Sequence, residues 1–318
     1  MSSALVCASH SPLLYCFDKA PEDWEAIQQG FKDARSFVEK FDPELVFVFG
    51  SDHFNGFFLN LMPSFCVGFS AEATADIGGF SGPLDVPTDI ALAAVEHLQS
   101  DGIDPAVSYQ MTVDHAFSQT IELMTGSLSA VPTVPIFINC ITKPFVPFER
   151  TRLLGESLGR YAKGLNKRVL FLASGGMSHH PRRYYPVFGE GDESVSAWQL
   201  SGGRLKQSMS SQEWLDRLES MHEEGAKMIT RGERTAADMR LNKESDDRFL
   251  DVLLGGRIKE FDSWNQDELV EQGGIGSMEL QAWIAAAAAH KEFGGSNPSL
   301  DLYSVAPEIG IACGIVHS

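Results

Sequence analysis

The chain has 318 residues, with 25 Lys and Arg against 43 Asp and Glu, so its formal net charge is −18 with the histidines neutral. Apolar residues make up 43% and charged residues 21%, which is ordinary globular usage and excludes disordered, collagen-like and coiled-coil proteins. The negative charge repels phosphate backbones and anionic lipids, so we expect no nucleic-acid partner and no membrane partner. Apolar runs are too short to span a bilayer and no signal peptide is evident, which predicts a cytoplasmic protein.

Short apolar runs alternate with helical patterns along most of the chain. The runs that predict buried strands are Ala4–Ala8, Leu45–Phe49, Val134–Asn139, Val169–Leu172 and Ile309–Ile315. The helical spacing and capping signals between them predict helices over Glu22–Lys40, Thr88–Ser100 and Thr151–Leu165. This alternation predicts an α/β fold of three layers, α/β/α, with a largely parallel central sheet.

The stretch from about residue 210 to residue 274 is different, because it is rich in charge and lacks strand signals. It predicts a helical insert, with one amphipathic helix over Glu213–Ile229 and another that Asn242 caps and Leu254 ends. We interpret both helices as scaffold without a role in chemistry. A last helix is predicted over Ser277–Lys291. No repeat or linker divides the sequence, so residues 1–318 are predicted to form a single domain with an insert at about 210–274.

Histidines follow three of the predicted strands. His10 comes after the first strand, His53 after the second, and His179 and His180 after the strand at Val169–Leu172. In an open parallel sheet, ligands bind beyond the carboxyl ends of the strands, so residues remote in sequence meet there. A single such histidine is commonly a turn residue, but the repetition predicts that these imidazoles share one crevice.

Asp114 and His115 directly precede a helical pattern over Ala116–Met124. Asp114 is suited to cap that helix, which is a purely structural role. His115 is equally suited to proton exchange with a substrate, because the pKa of an unperturbed imidazole lies near neutrality. The sequence leaves both interpretations open.

Two of these histidines and one acid form a candidate metal site. Glu279 stands near the start of an apolar helix, where a carboxylate is unfavourable to bury unless it is paired or binds a metal. Together with His10 and His53 it would make the facial triad typical of non-haem Fe(II) oxygenases. The same ligand types also serve catalytic zinc in hydrolases, so composition and order alone do not choose the metal.

Five short motifs, spread over most of the chain, are similar to those of the class III extradiol ring-cleavage dioxygenases. They are Ala-Ser-His-Ser-Pro at Ala8–Pro12, Gly-Ser-Asp-His at Gly50–His53, Asp-His-Ala-Phe at Asp114–Phe117, Gly-Gly-Met-Ser-His at Gly175–His179 and Gly-Ser-Met-Glu at Gly276–Glu279. The resemblance is strongest to the branch of the family that opens catechols with a carboxyethyl side chain. It implies an enzyme that uses Fe(II) and O2 to convert 2,3-dihydroxyphenylpropionate and 2,3-dihydroxycinnamate to a 2-hydroxy-6-oxo-dienedioate.

The resemblance also implies a role for each motif residue. His10, His53 and Glu279 correspond to the iron ligands of the family, with Glu271 as the alternative third ligand. His179 corresponds to its catalytic base and His115 to its acid partner. Asp114 is then expected to orient His115, and His180 to belong to the turn or to support His179.

The resemblance leaves other features open. The side-chain carboxylate of such a substrate needs a cation, and Arg182, Arg183 and Lys143 are candidates because each lies near a predicted strand end. We expect a homo-oligomer, which is common for enzymes of this size. A zinc hydrolase with the same ligands and a non-enzymatic binding module with the same fold are the alternative functions.

Overall fold

The protein is described here by a computed structural model that covers residues 2–318. In this part of the chain eleven strands follow one another as β1 (Ser2–Ala8), β2 (Leu45–Gly50), β3 (Phe65–Gly68), β4 (Ala71–Ala73), β5 (Gly82–Pro83), β6 (Ala106–Ser108), β7 (Met111–Val113), β8 (Thr133–Ile138), β9 (Arg168–Ser174), β10 (Ser299–Ala306) and β11 (Ile311–His317).

Nine α-helices lie between the strands of the described residues: α1 (Trp24–Phe41), α2 (Thr88–Ser100), α3 (His115–Thr125), α4 (Phe148–Lys163), α5 (Glu193–Ser201), α6 (Ser211–Thr230), α7 (Lys243–Leu254), α8 (Gln266–Gly273) and α9 (Leu280–Phe293). Short 3₁₀ turns cover Pro12–Leu14, Pro181–Arg183, Ile258–Ser263, Ile275–Glu279 and Pro307–Ile309. No helix within residues 2–318 combines the length and the apolar character that a membrane crossing requires.

Eight strands form the main sheet, in the order β10-β11-β1-β9-β2-β8-β3-β6. The four central strands β1, β9, β2 and β8 are parallel neighbours, whereas β11 runs antiparallel to β1, and β3 antiparallel to β8. In the register of the sheet, Ala8 pairs with Ser174, and Ala173 pairs with Phe49. The carboxyl ends of β1, β9 and β2 therefore lie side by side, and the loops that follow them leave the sheet at neighbouring points.

Helices cover both faces of this sheet. One apolar core lies under α2, α4, α7 and α9, and the other lies under α1 and α3. Strands β2 and β8 are buried along their whole length, and β1 and β9 are buried except at their first residues, as expected for strands with helices on both sides. The prediction of a three-layer α/β/α fold with a largely parallel sheet is confirmed.

The predicted elements are present, although most of their ends are shifted, and a 3₁₀ turn accounts for two of the shifts. The strand predicted from Ile309 begins at Ile311, because Pro307–Ile309 form a 3₁₀ turn and Gly310 has a positive φ of 75°. The helix predicted from Ser277 begins at Leu280, after a 3₁₀ turn that contains Glu279.

The described residues between 211 and 273 contain the three helices α6, α7 and α8 and no strand. The boundaries of the insert and the division of the chain into one domain stay predictions.

Helices α4 and α9 are in backbone contact. A Cβ atom on Gly155 would lie 2.1 Å from the Ala285 carbonyl oxygen, and one on Gly159 would lie 2.3 Å from the Ala289 carbonyl oxygen. This close approach seats α9, and with it the turn that carries Glu279, against the rest of the molecule.

Replacing Gly155 by Ala should therefore destabilise the protein, because backbone atoms cannot yield as a flexible side chain can. Overpacking of this kind typically lowers the free energy of unfolding by about 1–3 kcal/mol, and urea denaturation measures it. Gly164→Ala is the control at the end of the same helix, since its Cβ meets only the Tyr161 carbonyl oxygen, at 3.3 Å. Equal stability of the two variants would contradict the packing argument.

Candidate active site

Imidazoles from four separate chain segments meet at the carboxyl edge of β1, β9 and β2. The ring centroid of His10 lies 5.6 Å from that of His53 and 5.2 Å from that of His115. His179 reaches the same cluster, with its Nε2 atom 3.7 Å from the Glu279 carboxylate. All four histidines line one cavity. The histidines that follow separate strands therefore do share one crevice, as the sequence pattern predicted.

His10 is oriented by the strand next to its own. Its Nδ1 atom is 2.9 Å from Ser174 Oγ, at the end of β9, and that hydroxyl is 2.7 Å from Thr120 Oγ1 on α3. Because Nδ1 takes part in these hydrogen bonds, the other ring nitrogen of His10, Nε2, faces the Glu279 carboxylate at 3.6 Å.

His53 is oriented by a loop that the Ser-Asp-His motif builds. The Asp52 carboxylate accepts hydrogen bonds from the backbone N–H groups of Asn55, Gly56 and Phe57, which closes the turn after β2. The His53 backbone N–H and its ring Nδ1 both bond Asp114 Oδ2, at 2.7 and 3.1 Å. The Nε2 atom of His53 is thereby aimed at Glu279 Oε1, 3.4 Å away.

The prediction that Asp114 orients His115 is wrong. One oxygen of Asp114 accepts from the Ala116 N–H and caps α3, and the other is occupied by His53. Both oxygens of Asp114 are therefore engaged by groups other than the His115 ring.

His115 is held instead by Asp76, a residue that the sequence analysis missed. Asp76 Oδ1 accepts from the His115 backbone N–H at 2.9 Å, and Oδ2 lies 2.5 Å from His115 Nδ1. Asp76 follows β4 in an irregular loop, so neither periodicity nor a motif marked it.

His179 lies in a pocket made by glycines. A Cβ atom on Gly176 or Gly276 would fall within 2.5 Å of its ring, so only glycine allows the imidazole to lie there. The His179 Nδ1 atom is 2.9 Å from the Met177 carbonyl oxygen, which can only accept a hydrogen bond. In the neutral ring Nδ1 must therefore carry the proton, which leaves the lone pair on Nε2.

Glu279 is the acid that the structure brings to these histidines. A Cβ atom on Gly175, whose φ is 156°, would lie 2.8 Å from the Glu279 Cβ, so the glycine permits the close approach. The Gly176 N–H donates to Glu279 Oε2 at 2.7 Å. The alternative acid Glu271 lies exposed on α8 and lines neither of the two cavities that border His53.

The local charges prepare the site for a cation. Burial would raise the pKa of Glu279, but the charges of His10 and His179 and a hydrogen bond from His53 hold it well below its usual value. Burial lowers the pKa of His10 to about 3, despite the opposing charge of Glu279. Burial would also lower the pKa of His53, but Asp114 and Glu279 raise it well above normal. An ionised carboxylate and a neutral His10 are the forms that bind a metal, whereas the raised pKa of His53 means that a metal would have to displace the proton of this ring.

The spacing of these groups suits a metal ion. Two ligand atoms that each lie about 2.1 Å from one ion are about 3.0–3.4 Å apart at octahedral or tetrahedral angles, and the Glu279 oxygens lie 3.4 and 3.6 Å from the two histidine nitrogens. The nitrogens of His10, His53 and His115 also lie within 4.8 Å of one another. However, His53 and His115 stack at 19°, whereas His10 and His53 meet at 83°. Since a ligating lone pair lies in the ring plane, nearly parallel stacked rings do not converge on one ion.

The histidine cavity is small, since the centre of a water-sized sphere can occupy only about 40 Å³ of it. Four side chains that were not predicted also line it: Tyr184, Tyr185, His222 and Arg234. The last two come from the insert, so the interpretation of the insert as scaffold without a role in the site needs correction. His222 lies on the same face of α6 as Trp214 and Leu218, and this shared stripe was the signal available in the sequence.

The three predicted cations for a substrate carboxylate lie elsewhere. Arg183 is exposed, and Lys143 is exposed and pairs with Asp267 at 2.5 Å. Arg182 lines a second, smaller cavity, which borders His53 and Glu279 but not His115 or His179. His180 belongs to the turn, where its Nδ1 atom is 3.4 Å from the Ile275 N–H.

A parallel α/β sheet whose carboxyl edge carries histidines and a buried carboxylate defines a candidate metal-dependent enzyme. The family described as the catalytic LigB subunit of aromatic ring-opening dioxygenase matches residues 4–312. The chain belongs to this family and is a ring-opening dioxygenase, as the motifs predicted. Membership implies a metal cofactor, for which the histidine cluster offers a site.

Relatives of known name match nearly the whole chain. Proteins named 2,3-dihydroxyphenylpropionate/2,3-dihydroxicinnamic acid 1,2-dioxygenase are 43% identical in Rhodococcus sp, over 91% of this chain and 89% of the relative, and 40% identical in Rhodococcus jostii, over 97% and 95%. A protein of that name from Escherichia coli is 39% identical over 97% and 96%. An uncharacterized protein of known structure, JW3007 from Escherichia coli K12, matches with a TM-score of 0.50 and 11% identity, over 99% of this chain and 98% of that one, which supports the fold alone.

Proposed function

We propose that the protein is an extradiol dioxygenase that opens the ring of 2,3-dihydroxyphenylpropionate and 2,3-dihydroxycinnamate with O2 and depends on Fe(II). The observation that carries the proposal is the buried Glu279 carboxylate, which lies within 3.4–3.7 Å of nitrogens of His10, His53 and His179. The relatives of that name, about 40% identical across the whole chain, support the same substrates. The expected product is a 2-hydroxy-6-oxo-dienedioate, which contains both atoms of O2.

His10, His53 and Glu279 are the proposed metal ligands. Two imidazoles and one carboxylate on one face of an ion form the facial triad of non-haem Fe(II) oxygenases. Fe(II) held this way would bind both hydroxyl oxygens of a catechol, lower the pKa of a hydroxyl and leave a position for O2. The protein contributes a fixed geometry, since Ser174 holds His10, Asp114 holds His53 and Gly176 holds Glu279.

His179 is the proposed base. Its Nδ1 proton donates to the Met177 carbonyl oxygen, so its Nε2 lone pair is available to take a proton from the second catechol hydroxyl. A neutral carbonyl oxygen orients the ring without adding a negative charge, which suits a base that starts neutral.

His115 is the proposed acid. The Asp76 carboxylate lies against its Nδ1 atom and stabilises the protonated ring, which can then donate from Nε2 as the ring of the substrate opens. The two histidines are thus separated in role by their partners, a carbonyl oxygen for one and a carboxylate for the other. A homo-oligomeric state and a cytoplasmic location stay predictions.

Alanine variants should divide these residues into two groups. His10→Ala, His53→Ala and Glu279→Ala should lose bound metal, because each removes one of three ligands. His179→Ala and His115→Ala should retain metal and lose about 10²–10⁴-fold in kcat, the usual contribution of a general acid or base. Metal content by mass spectrometry and steady-state rates measure the two effects. If His115→Ala loses the metal and Glu279→Ala retains it, the third metal ligand is His115 and not Glu279.

The metal should be ferrous iron. Protein loaded anaerobically with Fe(II) should consume one equivalent of O2 per 2,3-dihydroxyphenylpropionate and form a yellow ring-opened product. Oxygen-electrode traces and the product spectrum record both. Activity restored by Zn²⁺ and not by Fe(II) would favour a hydrolase with the same ligands, and cleavage between the two hydroxylated carbons would exclude extradiol chemistry.

Asp76→Asn should lower kcat while metal binding persists. The amide oxygen can still accept from the His115 backbone N–H, but the charge that stabilises the protonated ring is gone. We expect a loss of about 10²–10⁴-fold in kcat, with KM changed little. Asp85→Asn, at a loop position outside the histidine cavity, is the control. A loss of metal or a large fall in the unfolding midpoint would assign Asp76 a structural role instead.

A further inference from the structure

Arg234 is a buried cation without a carboxylate partner among residues 2–318. It is 8% exposed and lines the cavity that also contains His10, His115 and His179. Its hydrogen bond goes to a neutral group, from Nη1 to Tyr184 Oη at 2.6 Å. The carboxylate of Asp238, four residues further on, is bound instead by the backbone N–H and hydroxyl of Thr235.

The other buried arginine shows what a paired guanidinium looks like in this molecule. Arg152 is 5% exposed and donates to both oxygens of Asp262 and to Glu156. Burying a charge is unfavourable unless it is paired, and arginine is the side chain best suited to bidentate pairing with a carboxylate. The missing partner of Arg234 is therefore expected to arrive from outside the chain.

Local structure holds Arg234 ready for such a partner. Tyr184 stacks on His222 of α6 at 3.7 Å between ring centroids, and the Arg234 guanidinium lies 5.2 Å from the centre of the Tyr184 ring. Gly225 makes room, since a Cβ atom there would lie 2.3 Å from Tyr184 Oη. The bond from Nη1 fixes the guanidinium, and Nε and Nη2 remain as donors for a ligand.

Two further arginines lie near His180, which lines the same cavity as Arg234. Burial, followed by the charges of Arg240 and Arg182, lowers the pKa of His180 to about 4. The charges nearest to His180 are thus those of arginines, which are cations that an anion would favour.

We propose that Arg234 binds the carboxylate of the substrate side chain and so selects catechols whose 3-substituent carries an acid. This inference rests on the proposed function and adds the specificity residue to it. The insert thereby gains a role in recognition, since the segment after α6 binds the side chain while the edge of the sheet performs the chemistry. Arg182 is the main competitor, because it too has no carboxylate partner within the described residues, but it lines the second cavity and not the one with the proposed acid and base.

The experiment compares two substrates of equal length, 2,3-dihydroxyphenylpropionate and 3-propylcatechol, which differ by a carboxylate against a methyl group. Arg234→Met keeps much of the aliphatic stem and removes the charge. It should reduce kcat/KM for the acid by about 10²-fold, the range of a charged hydrogen-bonded contact, mainly through KM. The rate with 3-propylcatechol should change by less than about threefold, and Arg182→Met should leave the ratio between the two substrates unchanged.

Two results would overturn the proposal. If Arg234→Met slows both substrates equally, Arg234 is structural. If Arg182→Met alone abolishes the preference for the acid, the side chain lies in the second cavity.

A binding measurement separates this proposal from the proposed function. Calorimetric titration of the wild-type protein with 3-phenylpropionate and 3-phenylpropionamide requires no ring opening. Tighter binding of the acid that Arg234→Met removes supports the proposal even if neither catechol is opened. Equal binding of acid and amide by the wild-type protein counts against it.

Discussion

The Glu279 carboxylate lies buried among the imidazoles of His10, His53 and His179, and a buried negative charge requires compensation. The Gly176 N–H supplies one hydrogen bond, and a metal ion bound between the carboxylate and the ring nitrogens would supply the remaining compensation. The fold brings Glu279 and the histidines together in three ways. Three parallel strands end side by side, glycine at position 175 admits the turn before α9, and close packing of α4 on α9 seats that turn.

The histidines of the site are identical in type but differ in what holds them. His10 has a hydroxyl partner and His53 a carboxylate, whereas His179 has a carbonyl oxygen and His115 has Asp76. A partner that can only accept determines which ring nitrogen carries the proton, and its charge determines whether the protonated ring is favoured. One residue type can therefore serve as metal ligand, base and acid within a single cavity.

Local patterns were sufficient for most of the fold and for the histidines. The buried strands were predictable because each is a short apolar run. The helix Thr88–Ser100 has the predicted bounds because turn signals flank both of its ends. Asp76 and Arg234 were not predictable in this way. Each is an isolated polar residue in an irregular segment, and its importance comes from a partner or cavity more than thirty residues away in the chain. Asp114 was assigned to its sequence neighbour, although its geometry as a helix cap directs it to His53.

By itself the sequence determined the class of fold, the order of the strands along the chain and the histidines that follow them, because hydrophobic periodicity and residue type act locally. Only the tertiary structure decided which acid reaches the histidines, which carboxylate supports each ring and which arginine remains without a partner. These are properties of side-chain direction and of contacts between distant segments. A periodic pattern carries no record of such contacts, since they arise only when the sheet and its helices pack together.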